Sequence, residues 1–89
     1  MPTLRFTANL ARHVECPEGS VDGGTVQESL NSYFEQFPSV RSYVLDDRGC
    51  VRQHMVIFLN GTQIRDRAGL SDIVSPDDVI DVMQALSGG

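Results

Sequence analysis

Two groups of residues in this sequence have types and spacings that could do chemistry. The first is the closing run Gln84-Ala85-Leu86-Ser87-Gly88-Gly89. Two successive glycines have no side chains to place in a core, and their high backbone entropy leads us to expect a flexible tail over residues 85–89. Such a tail is slim enough to enter a narrow channel and present a carboxylate. A carboxylate is a poor acyl donor until it is activated. Drawn up to ATP on another protein, it could attack the α-phosphate to give an acyl-adenylate. A Cβ at position 88 or 89 would crowd the close, aligned approach which that attack needs. A sulfur nucleophile could then displace AMP and leave a thiocarboxylate. The bland alternative is a frayed end with no task.

The second group is His13-x2-Cys16 together with Cys50-x3-His54. The spacing is compatible with a tetrahedral zinc site. It does not match a standard finger, however, and ligands need precise geometry and supporting groups. We therefore expect no metal, with His13, Cys16, Cys50 and His54 as the set to test. Cys50 also lies between Arg48 and Arg52, which could favour a thiolate. A partly buried thiol beside solvent-facing arginines is the simpler reading.

Composition limits what surrounds these residues. A chain of 89 residues builds one modest core and no large catalytic cleft, and 40% hydrophobic residues is ordinary for a globular fold. Twelve acidic against seven basic residues give a net charge of −5, which argues against nucleic acid as the partner. All seven basic residues are arginine, and there is no lysine. Met1 to Phe6 alternates polar and apolar residues and so does not read as a signal peptide. The longest apolar stretch, Met55 to Leu59, is too short to span a bilayer. The expectation is a cytoplasmic protein with no membrane partner and reduced cysteines.

The elements that must carry the tail follow from local pattern. Leu4 to Ala8 alternates as a first strand, and Glu18 to Asp22 reads as a short second one. Thr25-Val26-Gln27-Glu28 forms a capping box, and Val26, Leu30, Tyr33, Phe34 and Phe37 make one helical stripe. Pro38 ends that helix. Ser39 to Gln53 reads as a long connection. His54 to Leu59 is a near-continuous apolar strand, expected in a central position covered on both faces or nearly so. Asn60-Gly61 is a hairpin turn leading to a strand over Thr62 to Arg65. Leu70 to Val74 suggests a short helical turn, and Val79 to Met83 a last strand. This order describes an α+β β-grasp: a mixed sheet of four to five strands, one main helix, and the first and last strands parallel at the centre. Residues 1–84 form the domain. Phe58 and Ile64 are assigned to the core ahead of any docking patch.

The segment Asp77 to Gly89 resembles the close of ubiquitin-like sulfur carriers, the superfamily of the molybdopterin-synthase small subunit and the thiamine sulfur carrier. Ile57-Phe58-Leu59-Asn60-Gly61-Thr62-Gln63-Ile64 is similar to that superfamily's central hairpin. The likeness implies that Gly89 is the modified residue, with Gly88 its required neighbour. It implies a partner too, an adenylating enzyme of the ubiquitin-activating type that consumes ATP, with a downstream enzyme accepting the sulfur. No cofactor would be bound by the chain itself. The spacer Gln84 to Ser87 lacks the proline that such proteins often carry, and the length points toward carriers feeding cysteine biosynthesis or related thiolation. The chain would then be a protein co-substrate and not an enzyme. The alternatives are a protein modifier joined through Gly89 to lysines, and a non-covalent β-grasp binding module.

Overall fold

The computed structural model describes residues 1–6 and 16–84. Five strands and two helices follow one another: β1 (Thr3–Phe6), β2 (Gly19–Ser20), α1 (Val26–Gln36), α2 (Pro38–Val44), β3 (Met55–Leu59), β4 (Thr62–Gln63) and β5 (Val79–Gln84). The sheet order is β2-β1-β5-β3-β4, with β1 and β5 parallel and the other neighbours antiparallel. This is the ubiquitin-like β-grasp, with the first and last strands paired as expected.

Alternation decides which face of the sheet is covered. Leu4 on β1, Met55 and Ile57 on β3, and Ile80 and Val82 on β5 are buried and meet the apolar stripe of α1. That stripe is Val26, Leu30, Tyr33 and Phe34, with Phe37 packed against its edge. Thr25 caps α1 by accepting from the Glu28 N–H at 3.2 Å, while the Glu28 carboxylate accepts from the Gly24 N–H at 2.8 Å. The first bond satisfies an amide that the helix itself leaves unpaired, and the second ties the residue before the cap to the first turn. Ser29, fully buried on the same helix, donates its hydroxyl to the Thr25 carbonyl. Tyr33 stacks on Phe37 and tilts against Phe6, closing one end of the core with an aromatic layer.

Three expectations are corrected by the structure. Residues 39–44 are not a connection: α2 begins at Pro38 and buries Val40 and Val44, four residues apart. Pro38 does end α1, with Phe37 as the C-cap, yet it also opens α2 at the first helical position, where its missing N–H costs nothing. β3 is not the central strand and is not covered on both faces. β5 holds the centre, and Val56 and Phe58 lie half-buried on the face away from the helices. Leu70 to Val74 forms no helical turn. Its carbonyls are engaged elsewhere, since Leu70 accepts from the Gln27 N–H and Asp72 from the Val26 N–H, and Ile73 bridges to Thr25. The segment thus serves the first turn of α1 instead of coiling on itself.

Two aspartates shape that segment. Asp72 accepts from the N–H groups of Arg65 and Asp66, both at 2.9 Å. Asp66 accepts from the Ser71 hydroxyl at 2.6 Å and from the N–H groups of Gly69, Ala68 and Ser71. The Ser71 hydroxyl and then the Gly69 N–H hold the Asp66 carboxyl down to about 2. A carboxyl depressed in the folded state adds stability above its unfolded pKa and loses it as the pH falls toward its folded value. The Tm of the parent should therefore fall between about pH 4 and pH 2. Asp66→Asn should show a shallower acid limb and a lower Tm at neutral pH. An unchanged slope from pH 4 to pH 2 would remove Asp66 from that role.

Candidate functional site

The site is built around the end of β5, at Gln84. Gln84, the last residue of β5, pairs with Met55, the first of β3. His54 and Gln53 immediately precede Met55 and are exposed at this edge. On the other side of β5, Phe6 pairs with Val82, so β1 also ends here. The topology thus brings the exit of β1, the entry of β3 and the root of the tail to one end of the sheet. Gly88 and Gly89, the residues expected to carry the chemistry, and the expected tail over 85–89 lie outside the described residues.

Arginines border this end, and they are less solvated than expected. The Arg67 guanidinium donates through Nη2 to the Met55 carbonyl at 2.7 Å and to the Arg52 carbonyl at 2.9 Å. Arg52 in turn donates through Nε to the Ser42 carbonyl at 2.6 Å, tying β3's entry to α2. Both side chains are half-buried struts. An open cleft of about 610 Å³ beside them is lined by Asp46, Arg48, Cys50, Val56, Gln63 and Arg67. Cys50 is half-buried there, its N–H bound to the Asp46 carboxylate at 3.1 Å. That bond, with further help from Arg48, holds the Asp46 carboxyl below the usual range.

The proposed ligand set fares differently from residue to residue. Cys16 is buried in the hydrophobic core, and burial pushes its thiol up, away from the thiolate that a metal requires. His54 and Cys50 lie on the β3 side. His13 lies outside the described residues. Among the described residues, no three of His, Cys, Asp and Glu gather to hold a cation.

The open face of the sheet bears a feature that sequence reading missed. Arg5 and Asp81 face each other across the parallel β1–β5 pair, with Arg5 Nε to Asp81 Oδ1 at 2.6 Å and Nη2 to Oδ2 at 2.9 Å. This two-pronged bond with Asp81 raises the Arg5 guanidinium further above its ordinary value. A recess of about 260 Å³ lies beside the pair, between Glu18, Phe6, Val82 and Met83. Met83, Val56 and Phe58 carry apolar surface on the same face, with Phe58 opposite Asp81 and Val56 opposite Met83. Ile64, by contrast, is buried. Outward alternation of Arg5 and Asp81 is legible in each strand, but only the register joins them.

This geometry can be set beside known proteins. The ThiS family model matches residues 6–89. A chain of the Amycolatopsis orientalis BexX/CysO complex superposes with a TM-score of 0.83 at 18% identity, each chain covered over 100% of its length. Mycobacterium tuberculosis CysO gives 0.82 at 17% identity, covering 97% of this chain and 100% of its own. The small archaeal modifier protein 1 of Methanosarcina acetivorans gives 0.81 at 23% identity, covering 99% of this chain and 95% of its own. At these identities the superpositions establish the fold. No curated protein matches the chain in sequence.

Proposed function

The chain belongs to the ThiS family of ubiquitin-like sulfur carriers, and from that membership we propose that its working group is the carboxylate of Gly89. The single observation that supports this most is the placement of Gly88-Gly89 a short spacer beyond Gln84, where the central strand of a β-grasp ends. In the proposed cycle an adenylating enzyme of the ubiquitin-activating type binds the chain and ATP. A Gly89 carboxylate oxygen attacks the α-phosphate, pyrophosphate leaves, and an acyl-adenylate forms. A sulfur nucleophile then attacks the acyl carbon, the C–O bond to AMP breaks, and Gly89 becomes a thiocarboxylate. A downstream enzyme takes the sulfur for biosynthesis: of cysteine, of molybdopterin, or in a related thiolation.

In this reading the chain contributes no catalytic side chain; it is a co-substrate with no bound cofactor. Its own part is to hold the tail at the end of a rigid strand and to offer a docking face. The matched chain from the BexX/CysO complex supports a carrier that works against a second protein. Among the described residues no helix is long and apolar enough to cross a membrane. We place the activity in the cytoplasm, where free thiols such as Cys16 and Cys50 stay reduced.

A second reading has its own support. Other structural neighbours are named small archaeal modifier proteins, which favours transfer of activated Gly89 to lysines of other proteins. Both readings share the activation step and diverge at the nucleophile. Intact mass spectrometry of the chain from its own cells separates them. Carriage of sulfur adds about 16 Da, confined to the peptide ending in Gly89 and lost on alkaline hydrolysis; confinement matters because methionine or cysteine oxidation gives nearly the same shift. Gly89 found only in amide linkage to other proteins would establish the modifier. Gly89 found only as the free acid, with normal function after its deletion, would leave a non-covalent binding module.

A further inference from the structure

An activated acyl group is attacked by any amine within reach, and the first amines in reach of a tethered tail are those of its own domain. The five residues 85–89 span at most about 17 Å. A group on so short a tether meets nearby surface at an effective concentration of order millimolar. Among the described residues, the long cationic side chains near the end of β5 are all guanidinium groups. Arg67 is bound to the carbonyls of Met55 and Arg52, Arg52 to Ser42, and Arg5 to Asp81. A guanidinium stays protonated at any physiological pH and has no free lone pair on nitrogen. A lysine in the same place would hold about one part in a thousand as neutral amine near pH 7.5.

We propose that the arginine-only surface around the end of β5 protects the activated C-terminus from acylating its own domain, and so reserves it for an external nucleophile. The inference rests on the reading of Gly89 as the activated residue. The reaction avoided is simple. A lysine Nζ lone pair would attack the Gly89 acyl carbon, a C–N bond would form, the C–O bond to AMP would break, and the surplus amine proton would pass to water. The product is a dead-end amide loop that can neither take up sulfur nor transfer to another protein. Arginine makes the hydrogen bonds that hold this end together without bringing a nucleophilic amine to it. Leaving any α-amine aside, the chain has no side-chain amine at all, which also bars it from receiving a second copy of itself through lysine.

The test does not need the activating enzyme. The whole chain is prepared with Gly89 as an alkyl thioester, a stand-in for the activated state, and followed by intact mass and peptide mapping at low micromolar concentration. Gln53→Lys and His54→Lys place an amine at exposed positions next to Met55, the partner of Gln84. Gln53→Arg adds the same charge without the nucleophile. Gln27→Lys places an amine on the first turn of α1, near Leu70 and Asp72, at the opposite end of the six-residue β5. That strand alone is about as long as the tail can reach.

Gln53→Lys and His54→Lys should lose the alkylthiol at least about tenfold faster than the parent and gain a Gly89-to-lysine amide, as expected for an intramolecular amine. Gln53→Arg and Gln27→Lys should decay as the parent does. Parent-like decay of both tail-root lysine variants would overturn the proposal, as would equal loop formation by Gln27→Lys. Absence of a thiocarboxylate on the parent in cells would instead strike the sulfur-carrier reading and leave the thioester comparison standing.

Discussion

Replacing Gly89 by valine is expected to abolish formation of the C-terminal thiocarboxylate, by roughly a hundredfold or more, and to leave thermal stability unchanged. The attack on an α-phosphate requires the carboxylate, phosphorus and leaving group in line, and a displacement of about 1 Å costs on the order of 10²-fold. In the proposed activation, a branched Cβ beside the reacting carboxylate would impose such a displacement, and it restricts the backbone angles that glycine leaves free. Stability should not follow. The buried residues described run from Pro2 to Val82, and the pairing of β5 with β3 ends at Gln84. The measurement is intact mass after incubation with the activating enzyme, ATP and a sulfur source, beside a thermal melt. A valine variant that still gains about 16 Da at the parent rate would remove the requirement for glycine at position 89. One that melts far below the parent would show that the tail belongs to the core.

The opposite pattern is expected of Ile80→Ala. Ile80 is fully buried at the middle of the sheet, opposite Leu4 on β1 and opposite Leu59 on β3. Truncation removes three carbons and leaves a cavity among strands whose backbone hydrogen bonds resist collapse. Such changes cost about 2–5 kcal/mol. That is a large share of the roughly 5–15 kcal/mol available to a domain. At about 4–8 °C per kcal/mol in a domain of this size, Tm should fall by about 8 °C or more. Below the new Tm, the variant should still accept sulfur on Gly89, because no atom of Ile80 takes part. A drop of only 1–2 °C would mean that the helix and sheet close on the cavity, against the packing described.

Together these two variants separate the parts of the molecule. The tail should carry the chemistry at no cost to the fold, and β5 should carry the fold and present the tail. The Arg5–Asp81 pair lies between these roles. It crosses the two parallel strands on the open face, beside apolar surface from Met83, Val56 and Phe58.

What the sequence determined by itself was local. The capping box at Thr25, the stripe from Val26 to Phe37, the Asn60-Gly61 turn and the end of α1 before Pro38 each depend on a few adjacent residues. The hydrogen bonds involved close within one turn of chain, and Asn60 takes the positive φ of 52° that such a turn needs. The element order was enough for the β-grasp, because short connections and right-handed crossovers leave few other arrangements. Tertiary structure decided the rest, wherever two partners are distant in sequence. Pro38 carries a stop signal and a start signal at once, and the burial of Val40 and Val44 made it a start. The apolar run of β3 pointed to a strand covered on both faces, whereas the element order already set the last strand beside the first at the centre, where the structure has it. The half-open face of β3 follows from the helices packing on one side of the sheet only. Leu70 to Val74 lost its expected turn because its carbonyls complete a helix more than forty residues earlier in the chain. Arg5 and Asp81, 76 residues apart, became a pair only when the parallel register set them side by side. In each case the deciding energy is a contact between remote segments, which no local pattern contains.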